Sequence, residues 1–465
     1  MRDYGLAGPE TKRAEQMGLA DAEWFRPEID DDTLRQLAVR TNLRGSLDQA
    51  LWLGLLVMFA WLIWISWWSW WTIPAFLAYS ALYGGAADSR WHECSHGTAF
   101  RTRSANDAVY YVASFMLLRG PTVWRWSHYR HHNDTIIVGR DAEIAFKRPP
   151  NPWFTLVGLS GHWVIPEMGG RLLRHARGQL DDAVLATVPA HLHKRVVWES
   201  RVFVAILAAA VVASVVLWTP LPVLYVGVPS ATGAWLMSFF GLTQHAGMRE
   251  DVLDHRLNSR TVYMNPVFRF LYLNMNYHVE HHIFPAVPYR NLPALHREIA
   301  DQLAPPKTST IAAYREIFRA MKHQRIDPSW ELDIELPPAR RASARIDSTI
   351  WTPTKAEDGW YDIGPVDELV PGRLSGVVLD ERKVMLYRLD DGSGVPEVCA
   401  ADATCTHGRV DLCTGLLIDG QIECPKHNGR FDARTGEPVS RPVTKPIAVH
   451  DVQIRRDRIR VRPTG

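Results

Sequence analysis

Nine of the chain's 19 histidines stand in a pattern that could hold metal. The first group is Arg90-Trp91-His92-Glu93-Cys94-Ser95-His96, and the second is Trp126-Ser127-His128-Tyr129-Arg130-His131-His132. On a helix His92 and His96 lie one above the other, and His128, His131 and His132 share a face, so five imidazoles are expected to converge. A third group, Asn276-Tyr277-His278-Val279-Glu280-His281-His282, repeats the spacing of the second, and His245 stands alone between them in Thr243-Gln244-His245-Ala246-Gly247. Neutral imidazole is the commonest nitrogen ligand for iron, zinc and copper. The remaining histidines are scattered and show no such grouping, which separates a metal site from a background of packed or solvated rings.

A second set of candidate ligands lies near the C-terminus, where Cys405-Thr406-His407 is followed by Cys424-Pro425-Lys426-His427. Two thiolates and two imidazoles in C-x-H and C-x-x-H pairs suit a [2Fe-2S] cluster of the Rieske kind, with cysteines on one iron and histidines on the other. Zinc also accepts two cysteines and two histidines, but its sites favour C-x-x-C or H-x-x-x-H pairs.

These residues need two different scaffolds. The net charge of +2 gives no basis for binding nucleic acid, and the mean hydropathy of −0.14 averages two unlike kinds of sequence. Residues 49–87 and 202–248 contain no charged side chain, runs of 39 and 47 residues. One membrane-spanning helix needs about 20 apolar residues. Each run therefore predicts two spans, four in all, forming two hairpins that turn at Ser66–Pro74 and Trp218–Pro222. Lys and Arg crowd residues 1–44, 90–201 and the chain after 248 but are absent from both turns. This bias places the termini and every histidine group in the cytoplasm. The polar opening Met1–Gln16 shows no signal peptide, and the five cysteines fit a reducing compartment better than a disulfide framework.

The expected division is an N-terminal cytoplasmic segment (1–48), an α-helical membrane domain with a histidine-rich cap (49–322), a linker (323–350) and a small all-β domain (351–465). Asp30–Leu37 reads as a helix start at the membrane surface, and Asn106–Leu118 as an interfacial helix too short to span. Phe284-Pro285-Ala286-Val287-Pro288 should end the third histidine helix. Asn291–Lys322 reads as one or two amphipathic helices. Beyond the linker, Gly376–Leu379, Val384–Leu389 and Arg458–Val461 are short apolar segments between Asp-Gly and Gly-Ser turns, as strands require.

Residues 351–465 resemble a bacterial Rieske ferredoxin, with Cys424-Pro425-Lys426-His427-Asn428-Gly429-Arg430-Phe431-Asp432 matching the second ligand loop. That resemblance implies Cys405, His407, Cys424 and His427 as cluster ligands. Gly408 and Lys426 stand near where high-potential members carry a disulfide, and Cys413 has no evident partner, so the lower-potential branch is implied. Residues 50–300 resemble the membrane fatty acid desaturase and hydroxylase superfamily through the boxes H-x3-H, H-x2-H-H and H-x2-H-H. The text around His92–Phe100 and Asn274–His282 is most similar to the bacterial branch associated with oxidative breakdown of rhizopine, a methylated inosamine. The resemblance implies two non-haem irons held by His92, His96, His128, His131, His132, His245, His278, His281 and His282. Glu93, Asp141, Glu143, Asn276 and Glu280 are then partners of the ligands rather than ligands.

The expected function is a membrane-bound di-iron oxygenase of the bacterial inner membrane. It would use dioxygen, and electrons relayed by its own Rieske domain, to hydroxylate, oxidatively demethylate or desaturate an unactivated C–H site. Fusing donor to acceptor raises its effective concentration. No G-x-G-x-x-G fingerprint is present, so NAD(P)H is expected to act through a separate flavin reductase. The alternatives are a fatty acyl desaturase of membrane lipids and, from another class, a membrane-tethered Rieske electron carrier without oxygenase activity. Haem ligation by such a carrier would need histidines within the apolar runs, and only His245, near one end, is there.

Overall fold

The computed structural model describes residues 2–20, 22–338, 351–389, 397–426, 428–440 and 442–464. Residues 339–350 of the expected linker and the expected ligand His427 lie outside them. Contacts divide the chain into two units. One comprises Met1–Pro27, Arg40–Ile283 and Val287–Pro337; the other comprises Glu28–Val39, Phe284–Ala286 and Pro338–Gly465. The short helix Asp31–Ala38 groups with the β-rich tail. That helix starts where the acidic run predicts, with the Asp30 carboxylate accepting the Thr33 amide at 2.9 Å.

The first unit is helical. α1 (Asn42–Ile65) is followed by α2 (Thr72–Ser80), a π-helical turn (Ala81–Gly85) and α3 (Ala87–His96). α4 (Arg103–Met116) covers the segment expected to be interfacial, and α5 (Pro121–Asn133) carries the second histidine group. α6 (His193–Val216) leads through two short helices, Leu221–Tyr225 and Val228–Thr232, into α7 (Ala234–His245). The short α8 (His255–Asn258) and α9 (His278–Ile283) precede two amphipathic helices, α10 (Leu292–Ile299) and α11 (Thr310–Ile326).

Three stretches among the described residues are long and apolar enough to cross a membrane: Asn42–Ile65, Ala190–Val216 and Leu221–His245. The expected fourth is not one of them. Its helix is interrupted at Ala81–Gly85, and Asp88, Arg90 and Glu93 make its second half polar. Water would penalise the surfaces that remain. Trp68 at the first turn is 89 % exposed and Trp218 at the second is 93 % exposed, while Val57, Trp61, Trp64, Val212 and Val215 stand outward along the helices. Tryptophan at helix ends and apolar chains between them match the layering of a bilayer.

Close backbone contact locks this bundle. A Cβ on Gly233 would lie 1.7 Å from the Ser80 carbonyl oxygen, and one on Gly84 would lie 2.3 Å from that of Pro229. Only glycine lets these segments touch, and the contact holds the stem from which α3 projects.

The second unit is built on antiparallel strands β1 (Thr354–Lys355), β2 (Tyr361–Pro365), β3 (Leu374–Leu379), β4 (Arg382–Leu389), β5 (Glu397–Asp402), β6 (Leu416–Ile418), β7 (Gln421–Glu423), β8 (Arg430–Asp432), β9 (Pro438–Ser440), β10 (Val449–Arg455) and β11 (Arg458–Arg462). One sheet runs β1-β2-β11-β10-β5-β4-β3 and the other β6-β7-β8-β9. Two apolar clusters fill it, one around Tyr387, Ile422 and Phe431, the other around Val377, Leu386 and Ile459. The expected all-β tail is thus present, with the candidate cysteines in loops after β5 and β7.

Candidate metal centres

The four elements that carry the histidines place all nine side chains in two adjoining groups. His92 and His96 from α3, His128 and His132 from α5 and His281 from α9 form one group, with a nitrogen from each ring within 4.8 Å of all the others. His131 from α5, His245 from α7 and His278 and His282 from α9 form the other under the same limit. The sequence reading put His131 with its α5 neighbours. Instead, consecutive residues on a helix point about 100° apart, so His131 and His132 divide between the two groups, as do His281 and His282.

The rings are close enough to demand an explanation. His96 and His128 face each other Nε2 to Nε2 at 3.0 Å, His245 and His278 at 2.9 Å, and His278 and His282 at 3.0 Å. Both nitrogens of His132 and of His281 are buried with no partner among the described residues. Buried polar atoms are ordinarily satisfied; a lone pair that is not is available to a cation. Burial, then the neighbouring imidazoles, push the pKa of His132, His278 and His282 well below the ordinary histidine value, and that of His281 likewise. A metal needs the neutral ring this produces. Nine nitrogens and no carboxylate make up the donor set.

Several rings are oriented by an acceptor on Nδ1, which leaves Nε2 free to bind. His131 donates to Asp141 at 2.9 Å and His128 to Glu143 at 3.3 Å. Burial opposes charge on His131, but Asp141 outweighs it and raises the pKa. Glu143 is held down to about 2 against its own burial by His128. His245 donates to the Asn258 carbonyl at 2.8 Å. Thr135 gives its hydroxyl proton to the His131 carbonyl at 2.7 Å, so it accepts from His282 Nδ1 at 3.2 Å.

Asp141 and Glu143 are therefore placed against histidines of the boxes, whereas three other expected partners are bonded elsewhere. Glu93 accepts the Tyr289 amide at 3.2 Å. Asn276 donates to the Val262 carbonyl at 2.7 Å. Glu280 accepts from His296 at 2.5 Å and from Thr261 at 2.6 Å. Their nearness in sequence to the boxes did not carry them to the same face of the helix. Thr135, Asn258 and His255 were missed. The His255 ring lies 5.0 Å from that of His282, yet nothing local distinguishes it from the scattered histidines.

In the second unit, Cys405 and Cys424 open loops of one design. The Cys405 amide donates to the Val410 carbonyl at 2.9 Å and the Cys424 amide to the Gly429 carbonyl at 2.8 Å. Both cysteines are buried, and His407 is exposed. A hydrogen bond from Cys424, assisted by the amides of Gly408 and His407, holds the Cys405 thiol down to about 6 despite burial. Thiolate is the form that binds iron. Cys399 and Cys413 pack against the apolar cluster instead, and burial raises them to about 11 and about 12.

Comparison with known proteins agrees with this division. The family model described as fatty acid desaturase matches residues 65–314, more than half of the chain, and that described as Rieske [2Fe-2S] domain matches 359–451. The tail is 35% identical over 100 residues to the ferredoxin component of the naphthalene 1,2-dioxygenase/salicylate 5-hydroxylase systems of Ralstonia sp, covering 22% of this chain and 91% of that one. It is 33% identical over 95 residues to the anthranilate 1,2-dioxygenase ferredoxin subunit of Burkholderia cepacia, covering 20% and 83%. Among solved structures, the ferredoxin of carbazole 1,9a-dioxygenase from Nocardioides aromaticivorans IC177 is 32% identical, covering 24% of this chain and 99% of that one, with a TM-score of 0.21. The protein belongs to the fatty acid desaturase family. It carries a Rieske domain as its C-terminal part, a combination that marks it as an oxidoreductase with its own electron carrier.

Proposed function

We propose that the chain is a membrane di-iron oxygenase that attacks an unactivated C–H bond. The observation that carries this reading is the convergence of nine largely neutral imidazoles, eight buried and His245 half-buried, in two adjoining groups. His92, His96, His128, His132 and His281 would hold one iron and His131, His245, His278 and His282 the other; Cys405, His407, Cys424 and His427 would hold the [2Fe-2S] cluster. Two irons so held supply the redox chemistry that dioxygen needs to react with a C–H bond. The protein's own part is positional and electrostatic. Asp141, Glu143, Thr135 and the Asn258 carbonyl fix four of the rings, and burial keeps His132, His278, His281 and His282 neutral.

Four spans in two hairpins, with α2 to α3 as the fourth, put both termini and both metal sites on the cytoplasmic side of a bacterial inner membrane; the absence of Lys and Arg from both turns supports this. NAD(P)H acts through a separate flavin reductase, in keeping with relatives that are named as ferredoxin components of multi-protein systems. The substrate is a lipid acyl chain, the default for a membrane active site, or a methylated small molecule that loses its methyl group after hydroxylation, as the similarity to the rhizopine branch suggests. Expression with a ferredoxin reductase under 18O-labelled dioxygen, against a His131→Ala, His132→Ala control, tests the reading. Label in a product, or formaldehyde from a lost methyl group, is the expected result. A new double bond without label makes the protein a desaturase, and no difference between the two strains returns it to electron transfer alone.

A further inference from the structure

The N-terminal segment brings an aromatic ring to the second histidine group, and neither box chemistry nor the Rieske resemblance accounts for it. Trp24 stacks on His255 with ring centroids 4.2 Å apart and planes 9° from parallel, and the His255 ring lies 5.0 Å from that of His282. His255 is buried and belongs to neither metal-binding group. Trp24 is partly exposed. Three contacts hold its alignment: the Trp24 indole donates to the Asn133 carbonyl at 3.1 Å, the Phe25 amide donates to the Leu253 carbonyl at 3.0 Å, and the Arg256 guanidinium covers the Phe25 ring at 3.3 Å.

We propose that Trp24 and His255 form the route by which electrons reach the second histidine group. The inference rests on the reading that the reduced Rieske cluster feeds a di-iron site. Electron transfer falls steeply with the gap between carriers, and the stacked pair, with His282 tilted 5.0 Å beyond it, divides the distance from the partly exposed indole to His282 into two short steps. Another tryptophan beside the site, Trp91, lies 5.3 Å from His128 but is itself buried, with Tyr110 and Trp124 the next rings at 6.0 and 6.1 Å. In each transfer one electron leaves the reduced [2Fe-2S] cluster and one ferric ion of the pair becomes ferrous. No bond is made or broken, and two transfers reduce the pair.

A plug that only fills space against Ala14, Leu19 and Ile137 would tolerate an aliphatic side chain; a relay would not. The full-length protein carrying both metal centres is mixed without oxygen with NADPH and a ferredoxin reductase. Reoxidation of the cluster is followed at its visible band, and the iron pair by freeze-quench Mössbauer spectra. Trp24→Leu and His255→Ala are expected to slow transfer at least about tenfold, the factor set by about 1.4 kcal/mol of barrier. Trp24→Phe keeps a ring and should stay near the wild-type rate, and dithionite should reduce the iron pair equally in all variants. Wild-type transfer in Trp24→Leu overturns the route, and so does slowing that dithionite shares, which marks a packing role. A wild-type cluster that never passes its electron to the ferric pair overturns the oxygenase reading and the route together.

Discussion

If the two histidine groups each hold an iron, replacing Asp141 by Asn should cost the protein one of them. Asp141 is buried and accepts three hydrogen bonds: His131 Nδ1 at 2.9 Å and the Ile136 amide at 2.8 Å on one oxygen, and the Glu143 amide at 2.8 Å on the other. Asparagine has the same shape but only one acceptor oxygen. Either the ring or an amide then faces an N–H group, at about 1–3 kcal/mol for the unsatisfied donor. The lost negative charge also makes His131 a weaker ligand. Changes to such partners typically lower metal affinity about 10- to 100-fold, or about 1.4 to 2.8 kcal/mol. His131 belongs to the four-histidine group, so Asp141→Asn should empty that site first. Glu143→Gln acts on His128 of the other group through a longer 3.3 Å bond and should cost less. The assay is iron per chain by atomic emission after graded chelator dialysis, with Mössbauer spectra to show which iron is lost. Unchanged chelator resistance in Asp141→Asn, or a larger loss in Glu143→Gln, would refute the reasoning.

Further outcomes follow from the same packing. In the iron-free protein, His132, His278, His281 and His282 resist protonation when folded, whereas in the unfolded chain they titrate near about 6.5. The unfolded state then binds more protons below that pH, so stability falls as pH drops, by about 1.4 kcal/mol per pH unit for each such ring. His131, with its raised pKa, works the other way only above that pH, where its folded ring takes up a proton first, and adds no slope below it. A melting temperature of the iron-free protein that stays level from about pH 7 to about pH 5 would contradict this. Gly233→Ala should prevent stable accumulation in membranes, because its methyl would meet the Ser80 carbonyl and overpacking costs about 1–3 kcal/mol or more; Gly241→Ala, with nothing within 4 Å, should be neutral. Glu199→Ala should lower the melting temperature in detergent. It strips the carboxylate that accepts the Thr122 amide and hydroxyl, both at 2.9 Å, from the start of α5, which has no side-chain cap of its own; full stability in the variant would show that water replaces it.

The box histidines were legible because metal chemistry demands particular residues at helical spacings. The strands at 374–379 and 382–389 were legible because apolar runs between turn residues leave few other choices. What the sequence did not disclose depends on how elements meet. The parting of His131 from His132 is decided by α9, 145 residues or more further on, which supplies a ring to each group. The roles of Thr135 and Asn258 require knowing that α5, α8 and α9 pack together. Trp24 sits in a segment read only as polar surface, and nothing in its neighbourhood points to His255. The fourth apolar helix was misjudged in its continuity: composition gives an uncharged run but not the π-helical turn within it.

That turn at Ala81–Gly85 acts as a phase shifter. An α-helix advances about 100° per residue, and a π-helical turn accommodates one residue more than the α pattern would. The residues of α3 therefore stand one position later on the helix surface than an unbroken α-helix from Thr72 would put them. Deleting a single residue from 81–85 would let the turn close as plain α-helix with both imidazoles kept in phase, whereas a deletion elsewhere between Thr72 and His92, with the turn retained, would swing them about 100° around the axis. At this point the number of residues between Thr72 and His92 matters as much as their identity, and a count cannot be repaired by any substitution.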